Sequence, residues 1–176
     1  MSSQEIELNL KRIFENFSEE NFIFDLLLAY GISKTSVTRL KSGDFNLSKV
    51  EGEFLYKKKV FFKQEQSNQL LIAIESVAAD ARITKHAPRF AILTDFKQIV
   101  AKDLKLGKNL DIAIQDLPRY YAFFLPLAGS EAYHSANDNE ADRNAAYKMA
   151  QLYDLLTSHN PDVYHSKERR RFVLTK

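Results

Sequence analysis

The sequence predicts an α/β (α+β) domain, and three observations lead there. Helical patterns open the chain, a strand pattern begins near residue 53, and helical patterns return after residue 115. One helix-period segment lies between the first two strand-period segments, the arrangement of a sheet with helices packed on it. The composition, 45% hydrophobic and 27% charged with five Gly and four Pro in 176 residues, suits a folded domain with a sizeable core rather than a disordered or low-complexity chain.

Taken in order, Ile6, Leu10, Ile13, Phe14 and Phe17 recur at helical spacing and predict an amphipathic first helix. Ser18, followed by Glu19 and Glu20, has the pattern of an N-cap with acidic residues in the first turn. The second helix, over 22–30, is apolar nearly all round and must be buried, with Gly31 ending it. Ser33 caps a third helix that runs to Lys41 and closes at Ser42-Gly43.

Over residues 53–63 the period becomes two. Phe54, Tyr56, Val60 and Phe62 alternate with Leu55, Lys57, Lys59 and Phe61, which predicts one strand. A helix over 68–80 follows, with Leu70, Leu71, Ile74, Val77 and Ala78 facing inward. Strands are predicted over 89–94, 98–103 and 111–114, with turns at Asp95-Phe96 and at Leu106-Gly107-Lys108. Asp116-Leu117-Pro118 starts an aromatic-rich helical stretch through Phe124. A final helix is predicted over 137–159, with Met149, Leu152, Leu155 and Leu156 inward. Residues 1–160 therefore read as a single domain: a helical lead-in over 1–43, a sheet-containing core over 53–114 and a helical part over 115–160. Residues 161–176 read as a basic tail or linker.

The absence of cysteine excludes a disulfide scaffold and Cys-ligated zinc or iron–sulfur sites. No run approaches the roughly 18 apolar residues of a membrane span, and the N-terminus lacks a basic region followed by an apolar stretch, so the expected location is the cytoplasm and no membrane partner is expected. The net charge is only +2, but Lys57, Lys58 and Lys59 form one cluster and Lys167, Arg169, Arg170 and Arg171 another. Such clusters suit a polyanion, since neutralised phosphates release counterions, although a solvated surface is the simpler reading of each.

Residues 31–40 also have the pattern of the turn and recognition helix of a helix-turn-helix. Lys34, Thr35, Ser36 and Arg39 would point outward and Val37 and Leu40 inward, but Leu27 stands where a small residue is usual. His86, His134, His159 and His165 show no ligand spacing, and the Tyr120, Tyr121, Phe123 and Phe124 run reads as core before it reads as a base-stacking surface.

A family likeness lies in short matches in a fixed order. They are Phe22-Ile23-Phe24-Asp25-Leu26-Leu27-Leu28-Ala29-Tyr30-Gly31, then Val37-Thr38-Arg39-Leu40-Lys41-Ser42-Gly43, then Pro88-Arg89-Phe90 leading through Thr94-Asp95-Phe96 to Asp103. Asp116-Leu117-Pro118 and Phe124-Leu125-Pro126-Leu127-Ala128-Gly129 complete the series. From about Ile6 to Leu156 the chain resembles the N-terminal nuclease-like region of MmeI-like type II restriction–modification enzymes, which join an endonuclease to an adenine methyltransferase.

The resemblance implies a restriction-endonuclease-like fold, a small mixed sheet flanked by helices. In active members one strand carries an acidic residue and a Lys two apart, with an Asp upstream, and these hold Mg²⁺. Laid on this chain, the Asp position falls on Leu47, the acidic position on Lys57 and the Lys position on Lys59. An ammonium in place of a carboxylate repels the metal, so the resemblance implies a non-cleaving, DNA-associated module. That module would meet backbone phosphates of double-stranded DNA weakly through Arg39, Lys57, Lys59 and Lys63, and would hold no cofactor itself. A Mg²⁺-dependent endonuclease with a displaced site built from Asp44, Glu53, Lys57 and Lys59 is the first alternative, with Glu53 sharing a strand face with the two lysines. A scaffold that binds only protein is the second. No glycine-rich loop for S-adenosylmethionine and no Asn-Pro-Pro-Tyr-like segment is present, so the methyltransferase domain is expected in cis downstream or in trans.

Overall fold

The structure is a computed structural model that describes residues 2–129. The helix predicted over 137–159, the basic tail over 161–176, and His134, His159 and His165 lie outside the described residues.

Three short helices open the domain. Helix α1 (Ser3–Glu15) starts at a capping box, in which Ser2 Oγ accepts from the Glu5 amide (3.2 Å) and the Ser2 amide donates to Glu5 Oε2 (2.6 Å). Its inner face is Ile6, Leu10 and Ile13. Helix α2 (Phe22–Ala29) is buried on most sides, as an all-apolar helix must be. Ser18 is not its cap, contrary to the sequence pattern. The chain first closes a turn over 18–21, with Ser18 Oγ accepting from Asn21 Nδ2 (3.1 Å), so Glu19 and Glu20 precede the helix. Gly31, at φ 82°, ends α2 in a Schellman motif, with Ile32 N donating to Leu27 O and Gly31 N to Leu28 O. Helix α3 (Lys34–Lys41) is capped by Ser33, whose Oγ accepts from the Ser36 amide, and it buries Val37 and Leu40.

The sheet has five strands in sequence order: β1 (Glu53–Tyr56), β2 (Val60–Gln64), β3 (Phe90–Thr94), β4 (Gln98–Asp103) and β5 (Asn109–Ala113). All neighbours are antiparallel except β2 and β3, which run parallel from Val60↔Phe90 to Gln64↔Thr94. A parallel pair needs a crossover, and α4 (Leu70–Ala79) with the short α5 (Ala81–Thr84) supplies it. The predicted sheet membership of 53–63 and 89–94, and the helix between them, are therefore present.

The single strand predicted over 53–63 is instead a hairpin. Lys59 N donates to Tyr56 O (3.0 Å), closing a turn, and Tyr56 pairs with Val60. Because 56 and 60 differ by an even number and sit opposite each other on the same face, the period-two pattern passes through the turn unbroken. That is why the sequence reads as one strand.

The core has two layers. On one sheet face Val60, Phe62, Phe90, Ile92, Ile99 and Ile112 pack against α1, α2, α3 and a run of 3₁₀ turns over Ile114–Ala128. The aromatic run belongs here: Phe124 is buried against Phe90 and Tyr30, and Tyr30 Oη donates to Tyr121 O (2.8 Å). On the other face Leu55, Phe61, Ala91, Leu93 and Val100 meet Leu70, Ile74 and Val77 of α4 and Ile83 of α5. Leu71, predicted to face inward, is instead 59% exposed beside the exposed Ile72. The mixed sheet flanked by helices is the architecture the resemblance implies.

The family-like matches Arg89, Thr94, Asp95, Phe96 and Asp103 are tied together at the middle of this sheet. Asp103, fully buried on β4, accepts two hydrogen bonds from Arg89, from Nε and Nη2, at 2.9 Å each. Its Oδ1 also accepts the amides of Lys105 and Leu106. At the other end of β3, Thr94 Oγ1 donates to Gln98 O (2.7 Å) and accepts from the Phe96 amide. Phe96, with φ 62°, turns back against Phe17 and Phe22.

Replacing Asp103 by Ala removes the carboxylate that takes two hydrogen bonds from a guanidinium only 11% exposed. Breaking a buried pair in this way should lower stability by about 3–5 kcal/mol, measured by urea denaturation of the full chain. A drop below about 1 kcal/mol would mean that water reaches Arg89 and replaces the carboxylate.

Candidate nucleic-acid interface

Because 53–63 is a hairpin, the sequence-derived site residues do not share one surface. Lys57 and Lys58 are exposed on the β1–β2 turn, and Lys59 lies half-buried beside them, its Nζ reaching Leu127 O at 3.4 Å. Lys63 is at the far end of β2, opposite Glu53, where it pairs with Glu65 at 2.8 Å. Arg39 is on α3, stacked over the Phe45 ring at 4.2 Å and paired with Asp44 at 3.6 Å.

The displaced site also fails to assemble. Glu53 is at the open end of the hairpin and Lys57 at its turn, four residues or about 13 Å away at the rise of a strand. The shared strand face of Glu53, Lys57 and Lys59 does not exist, because 57–59 is the turn. Glu53 is 6% exposed and already committed: Arg82 Nη1 donates to its Oε2 at 2.9 Å and Ser48 Oγ at 2.7 Å. Asp44 lies on the exposed surface, paired loosely with Arg39 at 3.6 Å. These residues do not fit a Mg²⁺ site. Among the described residues, no three His, Asp or Glu side chains converge closely enough to hold a metal ion.

The family's acid-and-lysine pair can also be laid on β2. On β2, the strand leading into the crossover, Lys63 is the lysine and the residue two before it on the same face is Phe61. Phe61 is fully buried in the layer under α4. Laid there, the acidic position falls on a buried phenyl ring, which holds no metal.

Around Lys63 lies an open recess, lined also by Glu19, Glu20, Glu51, Glu65 and Asp95. The hydrogen bond from Lys63 holds the Glu65 carboxyl below the usual carboxylate range. Burial pushes Asp95 up, but hydrogen bonds from Ser67 Oγ and the amides of Gln98 and Lys97 outweigh it, leaving Asp95 below its ordinary value. Neither acid stands out as a site in the sequence. Asp95 is marked there only as a turn residue of a motif, which is the role its hydrogen bonds give it.

The α2–α3 pair has the outward residues expected of a recognition helix, since Lys34, Thr35 and Arg39 are exposed and Val37 and Leu40 buried. Leu27, at the position where a small residue is usual, is fully buried in the core.

Residues 1–159 match the family model described as the N-terminal domain of MmeI. The chain belongs to the MmeI N-terminal domain family. A curated relative, DNA methyltransferase A of Bacillus subtilis (strain 168), is 32% identical over 160 residues, which is 91% of this chain and 18% of the relative. The chain thus spans less than a fifth of that protein's length. No solved structure matches the chain. Within this MmeI N-terminal domain, no described helix is long and apolar enough to cross a membrane.

Two expectations follow. Glu53→Ala should cost roughly 1–3 kcal/mol, because it removes the buried acceptor shared by Ser48 and Arg82 and leaves Arg82 only its pair with Asp80, whereas Lys57→Ala should stay within about 0.5 kcal/mol; equal effects in chemical denaturation would contradict the hairpin. Asp95, with its folded pKa below the unfolded value, stabilises the domain fully above the unfolded pKa near 3.9, and this is lost as pH falls through the folded pKa. The melting-temperature gap between wild type and Asp95→Asn should therefore be widest near pH 7 and shrink steadily below pH 4. A constant gap would show that Asp95 does not titrate with folding.

Proposed function

We propose that the domain is a DNA-associated, non-cleaving module of a restriction–modification enzyme. The observation that carries this reading is the site chemistry: both placements of the family's acid-and-lysine pattern put a non-carboxylate at the acidic position, Lys57 in one and Phe61 in the other. Family membership supports the restriction–modification context. The name of the relative supports a methyltransferase domain as partner, in cis or in trans, and S-adenosylmethionine would bind there rather than here. The domain's own part is to engage double-stranded DNA through lysines that meet phosphates without reading bases.

The full chain, incubated with supercoiled plasmid and Mg²⁺ or Mn²⁺ at micromolar protein, should retard the plasmid and leave it unnicked. Nicking that is lost in Lys63→Ala would place a working nuclease centre at the recess and overturn the non-cleaving reading.

A further inference from the structure

The sheet separates charge between its two ends. Three loops lie side by side at one end: the β1–β2 turn at 57–59, the approach to β3 at 85–89, and the β4–β5 turn at 104–108. Backbone hydrogen bonds stitch them together. Lys58 N donates to His86 O, Arg89 N to Lys59 O, Leu104 N to Arg89 O, and Asp103 N to Lys108 O. Counting 57–59, 85–89 and 102–109, these segments hold eight Lys or Arg and a single acid, Asp103, which is fully buried against Arg89. Lys57, Lys58, Lys85 and Lys105 are exposed, and Lys108 is half-exposed. Among the described residues no carboxylate pairs with Lys57, Lys58 or Lys85. A recess of about 780 Å³ at this end is lined by Lys58, Arg89, Lys102 and Lys105, with no acidic side chain on its wall.

The other end is the reverse. Five carboxylates surround Lys63 there, and Lys63 is paired with one of them. A phosphate approaching Lys63 meets net repulsion, whereas one approaching the 57–59 end meets net attraction.

We propose that the basic end of the sheet, centred on Lys57, Lys58 and Lys85, is the surface that binds the sugar–phosphate backbone of duplex DNA. This deepens the DNA-associated reading and rests on it. It moves the interface away from Lys63 and Arg39 to the end of the sheet opposite the acid-lined recess. Five strands span about 19 Å at their ordinary spacing of roughly 4.8 Å, close to five or six base-pair steps of about 3.4 Å each. A row of lysines supplies point charges that follow a backbone without selecting bases. The position is also fixed: Lys58 (φ 60°) and Ala87 (φ 50°) hold left-handed conformations, and the Lys58–His86 hydrogen bond joins their two loops.

The test titrates a fluorescent random-sequence duplex with the full chain at several salt concentrations. It compares wild type, the Lys57→Ala/Lys58→Ala/Lys85→Ala triple variant, and the Arg39→Ala/Lys63→Ala double variant. Wild type should bind, and the triple variant should bind at least tenfold more weakly. Its slope of log K against log salt should be smaller by roughly 2–3, about 0.9 for each phosphate left unneutralised. The double variant should match wild type, and all three should share a melting temperature within a few degrees. Abolished binding in the double variant with the triple unchanged would overturn this placement and leave DNA association standing. A wild-type chain that binds poly-glutamate but not duplex DNA would assign the edge to an acidic protein surface and remove the DNA reading itself.

Discussion

The buried Arg89–Asp103 pair constrains the rest of the domain. Taking both groups from water is costly, and only good geometry with further hydrogen bonds makes up for it. Here the fork of Arg89 meets both carboxylate oxygens, and Oδ1 also takes two amides of the β4–β5 turn. Phe90 and Asp103 are cross-strand partners, so the pair clamps the start of the fully buried strand β3 to the end of β4. A register slip of one residue between these strands would turn Asp103 toward the opposite face and break its pair with Arg89. The pair therefore holds the β3–β4 register, and with it the placement of the approach to β3 beside the β4–β5 turn at the basic end.

This changes what the family-like motif means. Residues Pro88-Arg89-Phe90, Thr94-Asp95-Phe96 and Asp103 resemble a nuclease-like region, yet their polar groups are spent on folding. Arg89 and Asp103 pair with each other, Thr94 and Asp95 close the β3–β4 turn, and Phe90 and Phe96 pack into the same aromatic core layer from the two ends of β3. A motif of this kind identifies a fold and carries no chemistry of its own. A chain can keep all of it whatever stands at the family's metal-ligand positions.

Much of the architecture was readable from periodicity: the buried second helix, the Gly31 stop, the Ser33 cap, the crossover helix and the strands after it. The β1–β2 turn was not, for a physical reason. A three-residue loop with an even offset preserves the alternation, and three lysines carry no glycine or proline to mark a turn. That one misreading displaced the site, since Lys57, Lys59 and Lys63 belong to one face only if 53–63 is one strand. Ser18 misled in a smaller way, because a serine before two acids fits a local turn as well as a helix cap. The grouping of Lys58 with His86 and Lys105 lay beyond sequence reading, because it depends on strand order and register rather than on neighbours along the chain.

The two ends of the sheet differ for reasons that follow from topology. In a parallel β–helix–β unit both strands begin at one end, so the residues before β2 and β3 are neighbours there, and the residues after them are neighbours at the other. The residues before the strands are Lys57, Lys58, Lys59 and Arg89; those after are Glu65 and Asp95. The acids at the second end are anchored to donors, Lys63 to Glu65 and Ser67 to Asp95, which keeps them ionised and the end negative. A polyanion is thus repelled from the end where β2 would have needed a metal to neutralise both substrate and protein carboxylates. Of the two ends of the sheet, the one that suits DNA is the one where lysines outnumber acids, and the proposed interface lies there.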